Sequence, residues 1–169
     1  QNIAEEVIEE IQVVEQSTTT STSTTVQSLM KRQFPFSCSA SSSLGDGWSC
    51  EKIYDNEPSS WQDKSLECAD ATLEFTFSKD VYFEFLTYEN LDDSKSFKRN
   101  FKPRDILITS EEEGFSIEYE LENQNTSTQW IDLNTTTSVI TIQILSAYPG
   151  EEVNGAEAFP ECAIQEITF

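Results

Sequence analysis

The sequence predicts an all-β sandwich preceded by an extended N-terminal arm. Short runs of alternating apolar and polar residues recur from Cys38 to the last residue. Turn-forming residues separate those runs, and no stretch of helical period and length interrupts them. The 169 residues suit one domain plus an extension. Three segments follow: an acidic and apolar docking arm at 1–16, a Ser/Thr-rich connector at 17–37, and the sandwich at 38–169.

The arm carries Glu5, Glu6, Glu9, Glu10 and Glu15 and no base. Its apolar side chains are Ile3, Val7, Ile8, Ile11, Val13 and Val14, besides Ala4. Positions 3, 7, 11 and 14 fit one helix face, whereas the β-branched side chains suit a strand. The reading leans to an extended segment. It is too short to bury its own apolar side and is expected to dock elsewhere. Gln1 reads as a mature end left by signal removal, open to cyclisation to pyroglutamate.

Nine hydroxyl residues follow without a break: Ser17, Thr18, Thr19, Thr20, Ser21, Thr22, Ser23, Thr24 and Thr25. Such a tract buries nothing. It is expected to carry O-linked sugar and to act as an ordered connector. The pair Lys31-Arg32 before Gln33 has the form of a dibasic processing site, but the plainer reading, an uncut connector, is preferred.

In the sandwich, Leu73, Phe75 and Phe77 alternate with polar residues, as do Val81, Phe83 and Phe85. Ile106 and Ile108 flank Leu107. Phe115, Ile117, Tyr119 and Leu121 form the next run, and Trp130 to Leu133 is a short strand. Ile140, Ile142 and Ile144 alternate again, and Ile164 to Phe169 ends the chain. Seven or more short strands argue a sandwich.

Net charge is −21, from 31 acids and 10 bases. That opposes nucleic acid and anionic membranes and favours basic partners or cations. No run of about 18 apolar residues suggests a membrane span. Histidine is absent, which removes Ser-His-Asp and Cys-His catalysis and His-based metal sites. Paired carboxylates are abundant by composition alone, so no pair stands out as a catalytic one. The chain reads as a non-enzyme.

Cys38, Cys50, Cys68 and Cys162 form no C-x-x-C. An even count favours two disulfides. Of the three possible pairings, Cys38–Cys50 closes a local loop and Cys68–Cys162 joins an early strand to the last one; this pairing is favoured. Asn125-Thr126-Ser127 and Asn134-Thr135-Thr136 are N-glycosylation sequons. With the cysteines and the Ser/Thr tract they point to a secreted protein.

Two stretches carry a family resemblance. Ser39 to Leu44 followed by Ile53 to Trp61 is similar to the opening of discoidin-like, galactose-binding-type jelly rolls. Asn100 to Ile108, Trp130 to Leu133, Ala147 to Gly150 and Cys162 to Ile167 resemble the glycan-binding variant attached to some bacterial NAD-hydrolysing toxins. The resemblance covers about residues 38–169 and implies a jelly-roll sandwich. In its first loop Asn56 stands where the family has Gly, and Ser60 where it has Thr. Such domains often hold a structural calcium, for which Asp55, Asn56, Glu57 and Glu166 are the candidate ligands. Trp48 and Tyr148 are the candidate sugar contacts, Tyr148 as an exposed residue in a Pro-Gly turn. Trp61 is expected in the core.

Lys95, Lys98, Arg99, Lys102 and Arg104 place half the bases within ten residues. They read as a basic docking patch for an acidic partner, such as the Glu-rich arm of another copy. The function expected from this layout is a secreted, glycosylated structural subunit. It would self-assemble into an extracellular filament through heterologous contacts, its arm docking on a neighbour's β domain. No cofactor beyond calcium and covalent N- and O-linked glycans is expected. The alternative is a carbohydrate-binding adhesion module.

Overall fold

The computed structural model describes residues 31–68 and 70–169. The arm and the Ser/Thr tract therefore lie outside the described residues, and so do their expected docking and O-glycosylation. The rest is an all-β jelly-roll sandwich, as the alternation predicts.

Ten strands and one short helix follow in order: β1 (Ser37–Ala40), β2 (Trp61–Leu66), β3 (Thr72–Glu89), α1 (Ser94–Arg99), β4 (Lys102–Pro103), β5 (Asp105–Ser110), β6 (Ser116–Glu120), β7 (Gln129–Ile144), β8 (Ala147–Tyr148), β9 (Glu161–Ile164) and β10 (Glu166–Thr168). The larger sheet has the order β1-β3-β7-β5-β6, and β10 joins the edge of β3 that β1 leaves open. The opposite layer is built from the antiparallel pairs β2–β9 and β4–β8. A parallel bridge between Phe101 and Cys162 links those pairs.

Four of the expected short strands turn out to be halves of two longer ones. Residues 73–77 and 81–85 belong to one strand, β3, and residues 130–133 and 140–144 to another, β7. The ladder between them shifts register between Thr76 and Val81 and again between Phe83 and Phe85. Polar residues at Ser78 to Asp80 read as a turn in sequence but sit at the first irregularity. A bulge absorbs extra residues without ending the ladder.

The core follows the alternation. Leu73, Phe75, Phe77 and Phe83 of β3 face Ile131, Leu133, Ile140, Ile142 and Ile144 of β7 in one buried cluster. The second layer supplies Trp61, Cys162 and Ile164. Phe169 closes one end, its ring 4.9 Å from Phe75 and 5.3 Å from Phe77. Both expected disulfides, Cys38–Cys50 and Cys68–Cys162, are present. The second closes a separation of 94 residues, the kind of loop for which restriction of the unfolded chain is largest.

The folded unit starts ahead of the expected boundary at 38. The amide of Gln33 donates to the Phe169 carbonyl at 2.7 Å, and that of Phe36 donates to Thr76 O at 2.7 Å. Helix α1, too short for a periodic signature, is N-capped by Asp93, whose carboxylate accepts from the Ser96 amide at 2.7 Å.

Candidate functional site

The ends of β3, β7, β9 and β10 converge at one end of the sandwich. There β3 finishes at Glu89, and the chain turns through Asn90 to Asp92. Buried Asn90 anchors that turn: its amide nitrogen donates to Gln124 O at 2.7 Å, and its carbonyl accepts from the Tyr88 hydroxyl at 3.0 Å. Burial pushes the Tyr88 phenol far up, so it stays a neutral donor. The loop before β7 folds around Gln124 Oε1, which accepts from the amides of Thr126 at 2.8 Å and Ser127 at 2.9 Å. Gln165, between β9 and β10, accepts from the Asp92 amide at 2.8 Å. Thr128 donates to Glu89 at 2.7 Å.

Two adjoining clefts result, with volumes of about 150 and 260 Å³. Glu89, Asp92 and Gln165 line both. The first continues to Asn125 and Thr128, the second to Asn56, Glu57 and Glu166. The walls are carboxylates, amides and hydroxyls, groups that pair with sugar hydroxyls in both donor and acceptor senses. Among the described residues no aromatic side chain lines either cleft.

Two residues that line the second cleft, Asn56 and Glu166, are held by an arginine clamp. Arg32 pairs with Glu166, donates to Asn56 Oδ1 at 2.9 Å and reaches the Tyr54 carbonyl at 3.4 Å. The Asn56 amide donates to Glu166 at 3.3 Å. Burial raises the Glu166 carboxyl above its ordinary range, while Arg32 pulls it back down.

The expected calcium ligands therefore do not form a cage. Asn56 and Glu166 meet at the guanidinium, but Asp55 turns away to Ser59 at 2.7 Å, the Glu57 amide at 3.0 Å and Lys52 at 3.4 Å. Glu57 is exposed. Among the described residues no group of three or more Cys, Asp or Glu could hold a metal ion. Arg32 places a positive charge against two of the four expected ligands, Asn56 and Glu166. The dibasic motif gave a signal for this residue, but nothing in it revealed a partner 134 positions away.

The five bases of the expected docking patch do not share one environment. Lys95 and Lys98 are exposed, Arg99 and Arg104 are partly exposed with partners in the fold, and Lys102 is buried. The Arg99 guanidinium stacks 3.7 Å from the Phe159 ring centre and donates to Glu157 O at 2.9 Å. Arg104 pairs with Asp105 at 2.8 Å. Lys102 is 1% exposed and donates to the carbonyls of Phe97, Asn100 and Pro149 at 3.0, 3.1 and 3.3 Å. Three carbonyls satisfy all three protons of one ammonium, which makes its burial tolerable.

Of the sugar-contact candidates, Trp48 stands exposed on the turn after β1, and Trp61 is fully buried, as expected of a core residue. Tyr148 differs from its expected exposure. It is half-buried in β8, and its hydroxyl donates to Leu121 O at 3.0 Å. Neither Trp48 nor Tyr148 lines the clefts. The sequons lie apart: Asn125 is on the rim of the first cleft, and Asn134 is on the outer face of β7.

No protein-family model matches the sequence, and no curated protein matches it. The fold, by contrast, matches solved structures. Paired family 32 carbohydrate-binding modules of Clostridium perfringens ZmpB, in complex with GalNAc, align over 82% of this chain with a TM-score of 0.60 and 10% identity. The chain spans 34% of that two-module protein. The family 32 module of C. perfringens NanJ, in complex with galactose, aligns over 78% of this chain and 90% of its own, at 0.57 and 13%. The corresponding module of AlyQ, in complex with 4,5-unsaturated mannuronic acid, covers 82% and 96%, at 0.56 and 14%. These matches show that the chain has the fold of the discoidin-like, galactose-binding-type modules.

Proposed function

We propose that this chain is a secreted, non-catalytic carbohydrate-binding module that takes an uncharged sugar in the cleft lined by Glu89, Asp92, Gln165 and Thr128. The observation that carries the reading is the shared fold over about four-fifths of the chain with modules bound to galactose, GalNAc and an unsaturated uronate. Fold alone does not fix function, so the cleft chooses among sugars. Its carboxylates sit in a chain of net charge −21. They accept from the hydroxyls of neutral hexoses and N-acetylhexosamines and repel uronates. Two disulfides fit an oxidising, extracytoplasmic setting.

The self-assembly reading has less beneath it. Its donor arm lies outside the described residues, and of its basic acceptor patch Lys102 is buried, Arg104 pairs with Asp105 and Arg99 stacks on Phe159.

Titration of the full chain with galactose, GalNAc and a mannuronate, followed by calorimetry, tests the reading. Binding of a neutral sugar that Asp92→Ala and Glu89→Ala weaken tenfold or more supports it. Tight uronate binding, or neutral-sugar binding that neither substitution alters, would falsify it.

A further inference from the structure

The outer face of the large sheet carries an aromatic strip that the described residues leave exposed. Trp130 is 59% exposed and Tyr82 is 60% exposed. Trp130 packs on Phe85 with ring centres 4.5 Å apart. Between the two exposed rings stands Asn134. Its side chain is exposed, and its carbonyl accepts from the Tyr82 hydroxyl at 3.0 Å. Residues 130, 132, 134 and 136 are exposed along β7 while 131, 133, 135 and 137 are buried, so Trp130 and Asn134 share one face.

We propose that Asn134 is N-glycosylated and that the glycan's first sugars lie on the strip between Tyr82 and Trp130. This rests on the secretory route of the reading above, not on its sugar cleft. Asn134-Thr135-Thr136 supplies the acceptor motif. The local geometry leaves room for it. Asn134 occupies a left-handed backbone conformation, φ 53°, within the stretch where the β3–β7 ladder shifts register. Its carbonyl oxygen is engaged, and among the described residues its amide nitrogen has no acceptor. Glycosylation removes one N–H from that nitrogen and leaves the carbonyl contact intact.

Asn125 contrasts with it. The Asn125 amide nitrogen already donates to Asp92 O at 3.1 Å, on the rim of a polar cleft. The aromatic rings explain why a sugar would settle beside Asn134. The C–H face of a pyranose is apolar and weakly positive, matching the negative face of an aromatic ring. Four residues of strand, about 13 Å, separate Asn134 from Trp130, a distance that a disaccharide core reaches.

The same glycan would guard a bare edge. Strand β5 pairs only with residues 140–144 of β7. Among the described residues, 129–139 have no strand on that side, and an unpaired edge invites pairing with another chain. A bulky hydrophilic group beside it blocks that approach.

The test is secretion of the full chain from a eukaryotic host, site-by-site glycopeptide mass spectrometry, and melting of four proteins: parent, Thr136→Ala, Tyr82→Ala and the double variant. Occupancy at Asn134 is expected, with a melting point about 2–4 °C lower on losing the glycan. That loss should shrink in the Tyr82→Ala background, where one of the two exposed rings is gone and only Trp130 remains. Occupied Asn125 with bare Asn134 overturns the proposal while leaving secretion intact. Glycan and Tyr82 effects that simply add overturn the stacking. A bare strip buried in a dimer, seen by sedimentation, assigns the face to a second copy and overturns it too.

Discussion

Arg32 and Glu166 form an ion pair across 134 positions, joining the segment ahead of β1 to the last strand. The two side chains are 23% and 10% exposed, so water screens the pair only partly. Removing Arg32 strands a carboxylate that already lies in a desolvated site. Arg32→Ala is therefore expected to cost about 1–3 kcal/mol. Glu166→Gln, which keeps a hydrogen-bond acceptor and sheds the charge, should cost less. In a denaturant double-mutant cycle the Arg32→Ala penalty should shrink in the Glu166→Gln background. Full additivity would show that the pair carries no coupling.

Glu166 and Asp105 titrate in opposite directions, and each sign follows from its surroundings. Burial raises Glu166 against the pull of Arg32. A raised folded pKa means the native state holds the proton more tightly than the unfolded chain does. That contribution to stability is complete at low pH. It fades between the ordinary glutamate value, about 4.3, and the higher native midpoint. Asp105 is held low, first by the Ser146 hydroxyl and then by Arg104. Its contribution is present above the ordinary aspartate value and disappears as pH falls through its own lower midpoint. Carboxyl NMR titration should place Glu166 above and Asp105 below ordinary carboxylates. A Glu166 midpoint at or under the ordinary value would contradict the assignment.

Lys102 and Lys98 look alike in sequence but are expected to respond differently to substitution. Lys98 is exposed, so Lys98→Ala should change stability by no more than about 0.5 kcal/mol. Lys102→Ala opens a cavity and leaves the carbonyls of Phe97, Asn100 and Pro149 without their donor. A loss of more than about 2 kcal/mol is expected. Equal effects in thermal melts would return Lys102 to the surface patch.

That contrast marks the limit of what was legible. Strand faces were readable because burial alternates with period two, and Leu73, Phe75, Ile140 and Ile142 all fell inward as their spacing demands. Spacing does not encode which of five nearby bases turns inward. Lys102 is buried because two carbonyls at the end of α1, from Phe97 and Asn100, and one from the distant Pro149 converge on it, an arrangement completed only by tertiary structure. The same holds for Arg32, whose partners are a loop carbonyl, an amide and a distant strand. Ser78 and Asn134 interrupt the alternation without ending a strand for a related reason: bulges and turns draw on the same polar residues.

Gly150 approaches the chain at Arg99 so closely that a Cβ there would meet Arg99 O at 2.2 Å and its carbonyl carbon at 2.9 Å. Both are backbone atoms and cannot rotate away. Nearby hydrogen bonds fix the two segments together, with the Glu151 amide donating to Lys98 O at 2.8 Å and the Phe159 amide to Arg99 O at 2.7 Å. Gly150→Ala should therefore lose about 1–3 kcal/mol, whereas Gly47→Ala, with open space around it, tests the baseline. Similar melting points for the two variants would show that the turn gives way freely.

Asn125 links the two kinds of sugar chemistry proposed for this chain. It lines the first cleft beside Asp92 and Thr128, so a glycan attached there would stand where a free sugar is expected to enter. Occupancy at Asn125 and binding in the cleft should then be mutually exclusive. Ser127→Ala abolishes the acceptor motif and retains the backbone amide that donates to Gln124 at 2.9 Å, preserving the loop. In material occupied at Asn125, this substitution should raise affinity for neutral sugars at least tenfold by uncovering the cleft. In unoccupied material it should change nothing. An unchanged affinity after removing an attached glycan would place the sugar site elsewhere on the domain, with exposed Trp48 the first residue to examine.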